Sequence, residues 1–165
     1  SSDLVRTCPI YLAALGREAV FGDMVKPFVI QQVVDTTDPY TQALPGSAPY
    51  EVLGSIPENC RQNLLDGMTG VANNLGLYVP ENYQFYAKTG TAETGAGDFL
   101  YITGCLRNVN DNSAQKPVYT SYNDYGYNGS YIIVMQLQNP ADFGFDFASQ
   151  TGSLYQGIIN TVLSY

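Results

Sequence analysis

Two aromatic-rich runs, residues 85–93 and 99–106, flank the pentapeptide Thr94-Gly95-Ala96-Gly97-Asp98. Aromatic side chains favour strands, and a glycine-rich stretch between two strands reads as a turn. The pattern predicts strands over 86–93 and 99–106, paired antiparallel as a hairpin. An isolated hairpin is marginal in water, so other elements must cover it. The chain supplies them. It has an apolar helical stripe before the hairpin, and a continuous apolar run and a second helical pattern after it.

In order, residues 8–21 read as a helix. Pro9 suits the first helical position, where its missing N–H costs nothing, and Gly22 is a C-terminal stop. Leu12, Leu15 and Ala19 form one apolar set and Ile10, Ala13 and Ala14 another, which predicts a well-buried helix. Residues 25–34 read as extended, with Pro27 marking an edge or a turn. Residues 35–54, rich in Pro, Thr, Gly and Ser, read as a surface loop. Ser55-Ile56-Pro57-Glu58 has the spacing of a capping box. Behind it Leu64, Met68, Val71 and Leu75, with Leu65 and Ala72 beside them, form a stripe ending at Asn73, Asn74 and Gly76. That stripe is core. Residues 107–130 are polar and rich in Asn and Tyr, and Asn128-Gly129 is a two-residue turn signal, so a hairpin arm or insertion is expected there. Residues 131–137 are the best candidate for a central strand, ended by Asn139-Pro140. Leu154, Ile158, Ile159, Val162 and Leu163 predict a helix along the sheet. The expected class is α+β: residues 1–165 suit one domain or a large part of one, with an antiparallel sheet of three or four strands flanked by helices.

Composition removes several functions. The net charge of −8 disfavours nucleic acid and anionic membrane surfaces, which need clustered Lys and Arg. The chain contains no histidine. A Ser-His-Asp triad, a Cys-His pair and histidine metal sites are therefore excluded, and a base for acyl transfer must be a lysine or a carboxylate. Cys8, Cys60 and Cys105 lie far apart and form no Cys-x-x-Cys, so neither zinc nor a disulfide framework is expected. They read as buried free thiols. No metal or cofactor is implied. No apolar run is long enough to span a membrane. With 45% hydrophobic and only 13% charged residues, the chain reads as folded. Fourteen Tyr and seven Phe suit a sheet-rich protein.

The chemistry centres on Tyr86-Ala87-Lys88-Thr89-Gly90-Thr91-Ala92-Glu93. Lys88 is one of seven basic residues in the chain. A strand here puts Lys88, Gly90 and Ala92 on one face and Thr89, Thr91 and Glu93 on the other. At a sheet edge it offers an ammonium, hydroxyls, backbone N–H groups and, at Gly90, room for close approach. That suits a carboxylate and a developing oxyanion on a peptide-like ligand. The alternative is a solvated lysine on a polar strand.

Lys88-Thr89-Gly90 resembles the Lys-Thr-Gly box of penicillin-binding proteins and class A β-lactamases. The extended Ala-Lys-Thr-Gly-Thr-Ala-Glu is similar to the form found in penicillin-binding transpeptidase domains. Other segments carry the same resemblance: Thr7-Cys8-Pro9-Ile10 with Ala13-Ala14 and Gly22, although Cys8 stands where the family usually has Thr; Pro27-Phe28-Val29; Gly67-Met68-Thr69-Gly70-Val71; Tyr101-Ile102-Thr103-Gly104; and Asn139-Pro140. The likeness spans essentially the whole chain but matches only the C-terminal part of the transpeptidase domain.

The resemblance implies a penicillin-binding-protein and serine β-lactamase-like fold, and a parent that is a serine-type DD-transpeptidase at the extracytoplasmic face of a bacterial membrane, anchored by a segment outside this chain. It implies cross-linking of peptidoglycan stem peptides ending in D-Ala-D-Ala, and acylation by β-lactams. Lys88 would supply positive charge for the substrate carboxylate, the Thr89 and Thr91 hydroxyls would bind it, Gly90 would permit approach, and the Thr91 N–H would be one oxyanion donor. The family's nucleophile box Ser-x-x-Lys and its Ser-x-Asn box normally precede this region, so the remainder of the domain must provide them. Ser113-Ala114-Gln115-Lys116 and Ser121-Tyr122-Asn123 match those patterns but follow Lys88, and Pro117 disfavours a helix at Lys116. They read as chance. The alternatives are a β-lactamase or DD-carboxypeptidase fragment, and a non-catalytic binding or scaffold module.

Overall fold

The computed structural model describes residues 7–27, 52–94, 97–110 and 130–164. The order is helix α1 (Pro9–Phe21), strands β1 (Asp23–Val25) and β2 (Val52–Ser55), helix α2 (Glu58–Leu75), strands β3 (Tyr83–Thr94), β4 (Gly97–Asn108) and β5 (Tyr131–Gln138), two short 3₁₀ turns (Pro140–Phe143 and Ala148–Thr151) and helix α3 (Gly152–Leu163). The protein is α+β, with small antiparallel sheets flanked by helices.

The expected hairpin forms. β3 pairs antiparallel with β4 from Tyr83↔Asn108 to Thr94↔Gly97, and β4 pairs with β5 from Phe99↔Gln138 to Leu106↔Tyr131. The sheet order is β3-β4-β5. β4 is therefore the central strand, not residues 131–137. Sequence hydrophobicity points to β5 because both of its faces are covered, which gives a continuous apolar run wherever the strand lies. α1 covers one face, where Gly16 meets Ile132 and Thr103. α3 covers the other, where the Tyr155 hydroxyl donates to the Ile133 carbonyl at 2.8 Å.

The core divides by strand alternation. Phe85 and Ala87 of β3, Ile102 and Leu106 of β4, and Ile133 and Met135 of β5 share one face with Ala72, Leu75, Tyr155 and Ile159. Tyr86, Cys105 and Ile132 share the other with Val20, Leu65 and Met68. α2 thus straddles the β3 edge, with its first half on one face and its last turn on the other. Ile102, Leu106 and Ile159 are wholly inaccessible to solvent, and burying each such side chain stabilises by about 1.5–3 kcal/mol.

Several expectations change. α1 begins at Pro9 and ends at Gly22, which is left-handed at φ 92°, as read. It is not well buried, however: Ala14, Gly16 and Val20 face the sheet, while Ile10, Tyr11 and Leu15 are exposed. One sheet face covers only one side of this helix, and its apolar residues are not confined to that side. Ser55 does not open α2. It ends β2, paired with Asp23, and its backbone belongs to that ladder. Pro57 is the N-cap, without a side-chain cap, and its carbonyl accepts from the N–H groups of Cys60 and Arg61 at 2.9 and 3.0 Å. The buried stripe of α2 is Leu65, Met68, Ala72 and Leu75, whereas Leu64 is exposed. Of the loop read at 35–54, residues 52–54 are strand; the rest of it and most of the segment read at 25–34 lie outside the described residues. So do Ser113–Lys116, Ser121–Asn123 and Asn128-Gly129. Cys105 is buried, but Cys8 and Cys60 are exposed, which corrects the reading of all three as buried. No helix among the described residues is long and apolar enough to cross a membrane.

Candidate functional site

The candidate site is the outer half of β3. Tyr83, Phe85, Tyr86 and Ala87 belong to the core clusters shared with α2, and no residue of β3 beyond Ala87 does. The two core clusters therefore hold the first half of the strand and leave the half from Lys88 onward outside them. Among the described residues β3 has β4 on one side only, so its other edge is open at Lys88–Thr94.

Lys88 is exposed, Thr89 and Gly90 are half-buried, and Thr91 and Glu93 are exposed. Strand alternation sends Lys88 to one face and Thr89, Thr91 and Glu93 to the other, with successive members of each set about 7 Å apart. The two faces meet only at the strand edge. The Lys88 ammonium bends round to it and donates to the Thr89 carbonyl. The cation thus lies beside the backbone that separates it from the two hydroxyls. Backbone groups of a strand also repeat with period two, so the Thr91 N–H points to the same side as the Thr89 carbonyl. The open edge therefore carries an ammonium and a backbone donor, and the two hydroxyls lie on the adjoining face of the strand. An ammonium and hydroxyls suit a carboxylate, and a backbone N–H suits an oxyanion.

The structure brings together all four residues singled out from the sequence: Lys88, Thr89, Gly90 and Thr91. Gly90 stands opposite Tyr101, and a Cβ there would lie 3.9 Å from the Tyr101 Cβ. That is ordinary contact, so β4 does not require glycine at 90. A side chain at 90 would project on the Lys88 face of the strand.

Two features were not read from the sequence. Asn139 lies at the end of β5 in the left-handed region, at φ 49° and ψ 57°, the only non-glycine residue with positive φ among those described. Its N–H donates to the Asp98 carbonyl at 2.8 Å. The Asn-Pro pair marked a strand end in the sequence; the tolerance of asparagine for this backbone region was the signal for more. The second is a shallow cavity of about 220 Å³ lined by Ala72, Asn73, Gly76, Leu77, Val79 and Phe85. It lies at the covered end of β3 and has no titratable lining, so it offers no acid, base or nucleophile.

Among the described residues no group of three or more His, Cys, Asp or Glu side chains is arranged to hold a metal ion. Comparisons with protein-family models, curated proteins and solved structures gave no match.

Proposed function

We propose that this chain is the Lys-Thr-Gly wall of a penicillin-binding DD-transpeptidase, a serine acyltransferase that cross-links peptidoglycan stem peptides and is acylated by β-lactams. The observation that supports the reading is the placement of Lys88-Thr89-Gly90-Thr91 on the outer half of an edge strand among the described residues, with the Lys88 ammonium at the backbone of that edge. A lysine inside a helix or sealed in the core would have spoken against it.

In this reading Lys88 and the Thr89 and Thr91 hydroxyls bind the terminal carboxylate of the D-Ala-D-Ala peptide. The Thr91 N–H donates to the oxyanion of the tetrahedral intermediate. The Ser-x-x-Lys serine and the second oxyanion donor belong to the remainder of the domain. The exposed Ile10, Tyr11 and Leu15 of α1 are then surface that this remainder covers. Removing one oxyanion donor lowers rates by about 100- to 1000-fold, so this chain alone is inactive.

Intact-mass measurement after incubation with a penicillin tests the reading. The 165-residue chain should gain no mass, whereas the longer polypeptide carrying Ser-x-x-Lys should gain one adduct and lose most acylation on Lys88→Ala. A stoichiometric adduct on this chain alone would put the nucleophile within it, with Ser113 the first residue to mutate. A longer polypeptide that lacks Ser-x-x-Lys and takes no β-lactam would make this a non-catalytic module.

A further inference from the structure

β3 and β4 outrun the rest of their sheet. β5 stops at Gln138, opposite Phe99, whereas β3 and β4 continue through Glu93↔Asp98 and Thr94↔Gly97. This overhang is a two-stranded ribbon, which twists more than a wide sheet and is marginal alone. It begins two residues from Thr91, so any fraying of its tip passes into the candidate site.

Asn139 meets this overhang. As the first residue after β5, it turns into the left-handed region and donates its N–H to Asp98 at 2.8 Å, which extends the β4–β5 contact by one residue. Its Oδ1 occupies the space where a Cβ of Gly97 would project. Gly97 itself has φ 120°, a backbone that side-chain-bearing residues rarely adopt. Two uncommon backbone conformations thus meet at one contact. Such a conformation is unfavourable at a residue with a side chain and persists at Asn139 where the surroundings require it.

We propose that Asn139 is a positioning residue for the open edge of β3. It clamps the tip of the β3–β4 ribbon at Gly97 and Asp98, and so keeps Thr91 and Glu93 in line with Lys88. The clamp is a property of this chain, and only the ligand that benefits rests on the transpeptidase reading. Asn139 touches neither the ligand edge nor Lys88 and acts through β4.

Amide hydrogen exchange on the 165-residue chain tests the clamp. In Asn139→Ala the β4-facing amides of residues 90, 92 and 94 and those of 98–100 should exchange about tenfold faster while those of α3 stay unchanged, because local opening is separable from global unfolding. Gly97→Ala should reproduce this, since its Cβ would displace the Asn139 side chain. Asn139→Asp, which keeps Oδ1 and tolerates the same backbone, should restore slow exchange. In the longer polypeptide, the second-order constant for β-lactam acylation should fall with Asn139→Ala and recover with Asn139→Asp. Unchanged exchange at the tip, a uniform rise across sheet and helices, or unchanged acylation in a polypeptide whose unsubstituted form acylates would each overturn the proposal. An unsubstituted polypeptide that takes no β-lactam would instead remove the transpeptidase reading, and the exchange result would still decide the clamp.

Discussion

The hydroxyl of Tyr155 on α3 occupies the space where a side chain of Gly104 on β4 would project, and the Phe85 ring closes the same space from β3, with its Cε2 2.6 Å from an ideal Cβ position. Three elements therefore converge where only glycine fits. The phenol and the Phe85 ring lie 5.8 Å apart between centroids. Gly104→Ala should destabilise the fold by about 1–3 kcal/mol through overpacking. Combining it with Tyr155→Phe should relieve only part of that loss, because Phe85 remains. Urea unfolding of the two single variants and the double variant measures the coupling.

Tyr155 also predicts an alkaline limit. Burial, followed by the proximity of Cys105, raises its phenol well above the ordinary value of 10.0, and the hydrogen bond to the Gly104 backbone offsets only part of this. A raised folded-state value means that the neutral phenol favours the fold. The resulting stability is fully present below about pH 10 and is lost as pH rises from there towards the folded-state value. Tyr155→Phe should lose about 1 kcal/mol at neutral pH with the bond to Ile133, and should show a flatter decline above pH 10. Denaturant midpoints from pH 7 to pH 11 check both arms.

Arg61 ties α2 to the end of α1. It donates to the Val20 carbonyl at 2.9 Å and to the Glu58 carboxylate at 2.8 Å. Arg61→Ala should cost about 1–2 kcal/mol, chiefly through the orphaned Val20 carbonyl. The hydrogen bond from Arg61 holds Glu58 below its ordinary value of 4.5. The Glu58 contribution is therefore present above about pH 4.5 and fades as pH falls through the lower folded-state value. Glu58→Gln should remove that acid-side slope and leave stability above it nearly unchanged, since the pair is exposed. Acid titration of the unfolding midpoint is the measurement.

Lys88 is predicted to be dispensable for folding. Its side chain is exposed, and the core clusters stop at Ala87. Lys88→Ala should change stability by no more than about 0.5 kcal/mol, and under the proposed transpeptidase reading it should abolish most acylation of a longer polypeptide that acylates. A large drop in thermal midpoint would assign Lys88 to structure.

Thiol labelling checks the geometry of α1. Cys8 precedes this 13-residue helix, and α2 reaches its far end through Arg61. At about 1.5 Å per residue the helix is about 20 Å long, far beyond the span of a disulfide. Cys8 and Cys60 should label in the native protein, and Cys105 only on unfolding.

The sequence by itself determined the elements whose causes are local. Pro9 and Gly22 bound α1, Gly76 ends α2, and the run of aromatics around a glycine turn makes the β3–β4 hairpin. The Lys88–Thr91 constellation was legible for the same reason, because alternation along one strand fixes its faces. Tertiary structure decided which strand is central, which half of β3 is open and which side of α1 is covered. Hydrophobicity reports how many faces of an element are buried, not which neighbour buries them, so β5 reads like a central strand while lying, among the described residues, at one end of the sheet. Ser55 shows the same limit: its capping pattern is local, but the ladder with Asp23 claims its backbone first. Asn139 and Gly97 lie 42 positions apart in the chain, and only the fold of β5 beside β4 brings them into contact.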